Sequence, residues 1–303
     1  MKKKEILVIG SSNTDMVIKT PHFPRPGETL LGGDFFMNQG GKGANQAVTV
    51  ARLKGEVNFI CKTGNDLFRE QSVKLFKQEG INTDWILTDQ EKPSGIALIM
   101  VNEEGENSIV VASGANNNLI RKDIDDLENV LDRSDYILLQ LEIPLETVEY
   151  VIHLASHKQK KVILNPAPAA ELPENLFEKL YVMTPNKIEA EHLSGIKITD
   201  KKTLEDAAKV IYEKGVHNVI ITLGEEGALI YNGQFELIPS EKTDPIDTTG
   251  AGDVFNGALC VALSEGKSLS QAVKFANKAA AISITKYGAI PSIPKRDELA
   301  GDS

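Results

Sequence analysis

The chain has 303 residues, 41% of them hydrophobic, which suits one large α/β unit with a substantial core and argues against wholesale disorder. Its formal net charge of −10 disfavours nucleic acid as a partner, because an acidic surface repels a phosphate backbone. After the basic Lys2–Lys4 cluster the apolar run is only Ile6 to Ile9. A secretion signal needs roughly 7–15 such residues and a membrane span about 20, so a soluble cytoplasmic protein with no membrane partner is expected.

Glu5 to Ile9 reads as a buried strand running into Gly-Ser-Ser. Similar continuous apolar runs at Val57–Ile60, Tyr136–Leu141, Val162–Leu164, Tyr181–Thr184 and Val219–Leu223 read as strands covered on both faces. Between them, Ala44, Ala47, Val48 and Ala51, and again Leu204, Ala207, Ala208 and Ile211, keep helical spacing. Strand and helix in alternation predict a three-layer α/β/α sandwich around a mostly parallel sheet. Two segments break the rhythm. Asp15–Asn38 carries Pro21, Pro24, Pro26 and paired glycines, and Gly95–Ser113 reads as a hairpin whose strands, Ile96–Val101 and Ser108–Ala112, flank the turn Asn102–Gly105. Together they predict a small second sheet over a site, inserted into a single domain spanning residues 1–303. Cys61 and Cys260 sit in apolar surroundings and read as buried thiols, and the polar tail after Asp297 is expected to fray.

Ligands of an open parallel sheet bind beyond the carboxyl ends of its strands. At those ends stand Asn13 and Asp15, Glu142, Asn165, Asn186 and Glu189, and Gly224–Gly227. Turn chemistry alone favours such residues, but Asp15 and Glu142 each close an apolar strand with an acid that needs a partner. The stretch Asp247-Thr-Thr-Gly-Ala-Gly-Asp253 opens a helix carrying Val254, Phe255, Ala258 and Leu259. Small residues at a helix mouth leave free N–H groups and partial positive charge, an anion hole suited to phosphate. Asp253 beside it is positioned to take a proton from an attacking hydroxyl; the same pattern also fits a plain N-terminal cap. Gly40-Gly-Lys-Gly-Ala-Asn45 is a second glycine loop before a helix, either a turn or a place where Lys42 and Asn45 meet hydroxyls. Gly43 follows Lys42 where a Walker loop needs Ser or Thr, and Phe255 stands where a dinucleotide fingerprint needs Gly, so neither class is supported. His153 and His157 share a helix face without a third ligand, which favours a solvated face over a metal site.

The two glycine signatures resemble those of the ribokinase-like (PfkB) carbohydrate kinases. The similarity runs from Gly10-Ser-Ser-Asn-Thr-Asp15 to Tyr287-Gly-Ala-Ile-Pro-Ser292. With Gln140-Leu-Glu142 and Asn165-Pro-Ala-Pro168, the motifs are closer to the family's ribose kinases than to its fructokinases or adenosine kinases. The resemblance implies transfer of a phosphoryl group from ATP to the 5-hydroxyl of D-ribose, giving ribose 5-phosphate and ADP. Other sugar or nucleoside kinases of the family, such as a deoxyribokinase or fructokinase, are the alternative, and a non-catalytic sugar-binding regulator is the reading from another class. It implies Asp253 as base and Gly250, Ala251 and Gly252 as the anion hole, with Asn13, Asp15, Gly41, Lys42, Asn45 and Glu142 on the sugar. It further implies Asn186, Thr222, Gly224, Gly227, Gly252 and Asn277 on ATP, with Mg2+ held through water by Asn186 and Glu189. Asp247, Thr249, Ser283, Lys286, Gly288 and Ser292 match positions around an activating K+, while Tyr287 stands where a basic residue is common. The two β insertions match a lid through which two copies clasp into a homodimer.

Overall fold

The strand β1 (Glu5–Ile9) is apolar along its length and buried from Ile6 onward, as a strand covered on both faces must be. The computed structural model describes residues 4–299; Lys2 and Lys3 of the basic cluster and residues 300–303 of the tail lie outside the described residues. The chain continues through β2 (Asn13–Lys19), β3 (Phe35–Gly40), α1 (Lys42–Arg52), β4 (Glu56–Gly64), α2 (Leu67–Gln78), β5 (Ile86–Asp89), β6 (Gly95–Val101) and β7 (Asn107–Ala112). Then follow α3 (Arg121–Asp125), α4 (Glu128–Arg133), β8 (Tyr136–Leu139), α5 (Leu145–His157), β9 (Lys161–Leu164), β10 (Val182–Met183), α6 (Lys187–Ser194) and α7 (Lys201–Glu213). The last part holds β11 (Val219–Thr222), β12 (Ala228–Tyr231), β13 (Phe235–Ile238), α8 (Ala251–Ser264), α9 (Leu269–Ser283) and α10 (Ala289–Ser292).

Among the described residues the main sheet has nine strands in the order β13-β12-β11-β10-β9-β8-β1-β4-β5. Neighbours from β11 through to β5 are parallel, whereas β12 pairs antiparallel with both β11 and β13 at one edge. One apolar core packs α1, α2, α8 and α9 against one face, and a second packs α3 to α7 against the other. This is the expected three-layer arrangement. A separate four-stranded sheet, ordered β3-β2-β6-β7, stands apart as the smaller lid layer.

The differences from the sequence reading are local. The expected strand Tyr136–Leu141 stops at Leu139, where Gln140 turns its amide to Gln46. Tyr181–Thr184 shortens to Val182–Met183, and Val57–Ile60 lengthens to Glu56–Gly64. The tail turns once more rather than fraying at Asp297: Arg296–Leu299 form a 3₁₀ turn, with Leu299 buried and Glu298 paired to Lys286. Cys61 and Cys260 are buried free thiols, and burial pushes both above the ordinary thiol range. His153 and His157 are exposed on α5. No helix among the described residues is long and apolar enough to cross a membrane.

Candidate active site

Two helix N-termini meet beyond the carboxyl edge of the main sheet. The first two turns of α1 are buried on every side from Gly43 to Val50, because it packs on α8 as well as on the sheet. The approach depends on Gly257 of α8: a Cβ there would lie 2.6 Å from Thr49 Cβ and 2.9 Å from the carbonyl oxygen of Gln46. Nothing larger than hydrogen fits between the two backbones, and this contact carries Asn45 and Gln46 to the first turn of α8. Gly257→Ala is therefore expected to cost about 1–3 kcal/mol of stability, read as a lower urea midpoint at unchanged m-value.

Helix α8 begins at Gly250, whose φ of 76° is a left-handed cap conformation open to glycine. Asp253 lies three residues on and does not act as the cap, which sets aside the plain-cap alternative. Its carboxylate turns to α1 instead. Asn45 Nδ2 donates to Oδ2 at 2.8 Å and Gln46 Nε2 donates to Oδ1 at 2.9 Å. Asp253 is 5% exposed, and burial raises its pKa against the lowering effects of Lys42, Asn45 and Gln46. The Ala251 N–H donates to Thr248 O at 3.2 Å. Among the described residues no acceptor takes the N–H of Gly250, Gly252 or Asp253, so these amides stay open at the positive end of the helix dipole.

The remaining charged groups gather around Lys42. Burial works against its charged form, yet Asp253, Glu142 and Glu189 together hold its pKa above the ordinary lysine value. Glu142 Oε2 accepts from Ser11 Oγ at 2.6 Å and from the Lys42 N–H at 2.9 Å, the latter beside Gly41, which caps α1. Asp15 reaches in from β2 with no protein donor on its carboxylate among the described residues. Burial, then Glu142 and Asp253, push its pKa up to about 7. Asn13 is buried, and its Oδ1 accepts from Asn116 Nδ2 at 2.7 Å. Asn45 Oδ1 is buried without a partner among the described residues, an acceptor left unsatisfied.

Asn186 caps α6 and forms a closed box with Glu189: Asn186 N–H and Nδ2 donate to the two carboxylate oxygens at 2.8 and 2.9 Å, while Glu189 N–H donates to Asn186 Oδ1 at 2.9 Å. Burial raises the Glu189 pKa, while Asn186 and Lys42 act against it. Thr222 ends β11 beside Pro185, and Gly224 and Gly227 bracket the turn that follows. Asn277 is buried and donates to the carbonyls of Ile238 and Pro239 at 3.0 and 3.3 Å, so its amide nitrogen holds the end of β13. Asp247 accepts from Thr249 N–H at 2.9 Å and Gly288 N–H at 2.8 Å, stapling the loop before α8 to the loop after α9. Lys286 N–H donates to Ser283 O at 3.1 Å in that second loop, Ser292 is buried at the end of α10, and Tyr287 is exposed. Sequence reasoning did not single out Gln46, Asn116, Thr184 or Asn256. Asn116 orients Asn13, and the other three lie in a buried amide chain behind Asp253.

A turn with open amides and a buried carboxylate thus stands at the strand ends of an α/β sandwich with a small β layer. The family model for pfkB family carbohydrate kinases matches residues 3–296, and the chain belongs to that family. Within it, a ribokinase of Haemophilus influenzae is 44% identical over 297 residues, 98% of this chain and 97% of that one. The crystal structure of a ribokinase from Thermotoga maritima superposes with a TM-score of 0.88 at 42% identity, covering 98% of each chain. A ribokinase of Arabidopsis thaliana, solved in complex with ribose and ATP, superposes with a TM-score of 0.91 at 29% identity over 100% of both chains.

Proposed function

We propose that the chain is an ATP-dependent kinase that phosphorylates the 5-hydroxyl of D-ribose, giving D-ribose 5-phosphate and ADP. The observation that carries this reading is the first turn of α8, which offers the open amides of Gly252 and Asp253 and a buried carboxylate fixed by two side-chain amides. The sugar oxygen forms its bond to the γ-phosphorus as the bond from that phosphorus to the β-phosphate bridging oxygen breaks. The hydroxyl proton passes to Asp253, and the open amides stabilise charge on the equatorial oxygens. A preorganised site of this kind needs little else, since the loose transition state asks for alignment and charge neutralisation.

Recognition of a polyhydroxyl sugar rests on charge-assisted hydrogen bonds, each worth about 1.5–3 kcal/mol. Asn13, Asp15, Gly41, Lys42, Asn45 and Glu142 are the proposed sugar contacts. The orphaned Asn45 Oδ1, the unpartnered Asp15 carboxylate and the pinned Asn13 suit hydroxyl donors and acceptors. Asn186, Thr222, Gly224, Gly227, Gly252 and Asn277 are the proposed ATP contacts.

Asp15, Glu142, Glu189 and Asp253 set four carboxylates against one ammonium, Lys42, so a polyphosphate needs a divalent cation with it. No group of three or more His, Cys, Asp or Glu among the described residues forms a metal cage. This suits Mg2+ held by phosphates and water, with Asn186 and Glu189 as its outer contacts. When bound it supplies charge neutralisation. For K+ the fit rests on the Asp247 staple, which brings Thr249 together with the 283–288 loop directly behind the amides of α8; Ser283, Lys286, Gly288 and Ser292 complete the proposed set. The reading treats residues 1–303 as one kinase domain with lid insertions at about 15–38 and 95–113, working in the cytoplasm, where free thiols such as Cys61 and Cys260 stay reduced.

Strand registers place Phe35, Met37, Leu98 and Val110 on the lid face opposite Asp15, and all four are exposed. A face this apolar calls for cover, and a second copy of the lid in a homodimer is the proposed cover. Sedimentation of a dimer that falls apart on Met37→Asp supports the clasp; a monomeric wild-type chain removes it.

The pH dependence of sugar binding follows from Asp15. As pH rises through about 7 the group becomes an anionic acceptor, so the KM for ribose should fall, and Asp15→Asn should flatten that dependence. The folded-state value lies above the ordinary 3.8, so the folded chain holds an extra proton between them and loses stability as pH rises from about 4 to about 7. Asp15→Asn should therefore raise the melting temperature at pH 8 and leave it unchanged near pH 3.

The functional reading itself is tested by coupled ADP release over a panel of pentoses, hexoses and nucleosides, with and without K+. Ribose should give the highest kcat/KM, ahead of 2-deoxyribose and fructose. No ADP release with any sugar would end the reading.

A further inference from the structure

Behind Asp253 lies a buried chain of polar side chains that leads from its carboxylate back to Gly252. Gln140 Nε2 donates to Gln46 Oε1 at 2.5 Å. Gln46 Nε2 uses its two hydrogens on Asp253 Oδ1 at 2.9 Å and on Asn165 Oδ1 at 3.1 Å. Asn165 Nδ2 donates to Thr184 O at 3.4 Å, Thr184 Oγ1 to Asn256 Oδ1 at 2.6 Å, and Asn256 Nδ2 to Gly252 O at 2.8 Å. One hydrogen-bonded path thus joins the carboxylate of Asp253 to the carbonyl of Gly252 in the anion-binding turn. Gln46 and Gln140 are both 0% exposed, and every polar group of the Gln46 side chain is used.

The path has a direction. A primary amide can face the Asp253 carboxylate with its NH₂ or with its oxygen, and only the NH₂ side attracts it. The NH₂ side faces it here, and Gln140 Nε2 donates to the Gln46 oxygen on the far side, away from Asp253. We infer that Gln46 is a positioning residue for Asp253, fixing its carboxylate for the attacking hydroxyl, with Gln140 as the donor that holds the Gln46 oxygen. The inference rests on the proposed role of Asp253 as base. The other charged groups facing Asp253 are Lys42 from α1, Glu142 after β8, Asp15 from β2 and Glu189 from α6, and none is altered by the variants below.

The test compares wild type with Gln46→Met and Gln140→Met in the full chain. Gln46→Met keeps the volume and removes the donor. A hydrogen bond to a charged group is worth about 1.5–3 kcal/mol, so kcat should fall about ten- to a hundred-fold while KM for sugar and ATP stays within about two-fold. The acid limb of the kcat profile should move to higher pH, since a donor to the ionised carboxylate is lost. Gln140→Met removes the donor to Gln46 Oε1 and leaves both Gln46 donors in place, so it should lose only a few-fold. An unmoved acid limb in Gln46→Met, or Gln140→Met losing as much as Gln46→Met, overturns the inference. If Gln46→Met does not fold, Gln46→Leu takes its place with the same readouts. Carboxyl 13C titration of Asp253, assigned with Asp253→Asn, needs no turnover. A pKa that rises in Gln46→Met supports the inference and an unchanged one overturns it, even if the wild-type chain phosphorylates no sugar.

Discussion

Asp253→Asn is expected to lower kcat about 10³-fold while leaving the sugar KM within about two-fold of wild type. The substitution keeps the size of the side chain and removes its ability to take a proton. Its new NH₂ would face a donor, but Asn45 can turn its amide, because the oxygen it would present is at present without a partner. Burial makes the ionised Asp253 unfavourable in the folded chain, so the amide variant should fold at least as well at neutral pH. A large drop in turnover with intact stability and sugar affinity is the signature of a base. Near-normal turnover would remove Asp253 from the chemistry and leave its burial beside open amides unexplained.

Lys42→Met is the second large expected effect. The ammonium faces Asp253, Glu142 and Glu189, and without it these carboxylates lose their shared counter-charge. Lys42 lowers the pKa of both Asp253 and Glu189, so its removal raises both. At neutral pH less of Asp253 is then ionised, and kcat should fall about 10²-fold, with part of the loss recovered as pH rises. Sugar KM should rise as well, since Lys42 is a proposed sugar contact. A kcat profile from pH 6 to pH 9 decides the point. An acid limb that does not move would mean that Lys42 acts on binding alone.

The parallel core of the fold was legible because β1, β8, β9 and β11 are continuous apolar runs, the pattern that only two-sided burial favours. The β12–β13 hairpin was not, because Phe235–Ile238 is short and half exposed and has no such signal. The glycine loops pointed to two helix mouths that the fold brings together, while the local pattern left Asp253 open between cap and base and only the family resemblance favoured the base. What settled its geometry is the approach of α1 and α8 at Gly257, a contact between residues more than 200 positions apart from Thr49. Gln46 escaped notice for a related reason. Spacing of Ala44, Ala47 and Val48 suggests one buried face, on which Gln46 does not lie, whereas the start of α1 is buried all round. The missing signal was the lack of any charged residue between Gly43 and Ala51, which is how a helix with no solvent face reads. Thr184 and Asn256 look like ordinary polar residues until the strand end and the helix are brought together.

The central claim is that the open amides at the mouth of α8 hold the migrating phosphoryl group while the Asp253 carboxylate receives the proton of the sugar hydroxyl. The most direct measurement is a crystal structure with ribose, ADP, Mg2+ and a planar metal fluoride mimic of the transferring group. The account predicts fluoride atoms at roughly 3 Å from the N–H groups of Gly252 and Asp253, and the ribose 5-hydroxyl at a similar distance from an Asp253 carboxylate oxygen. A mimic bound away from that turn, or a 5-hydroxyl directed to another base, would contradict it.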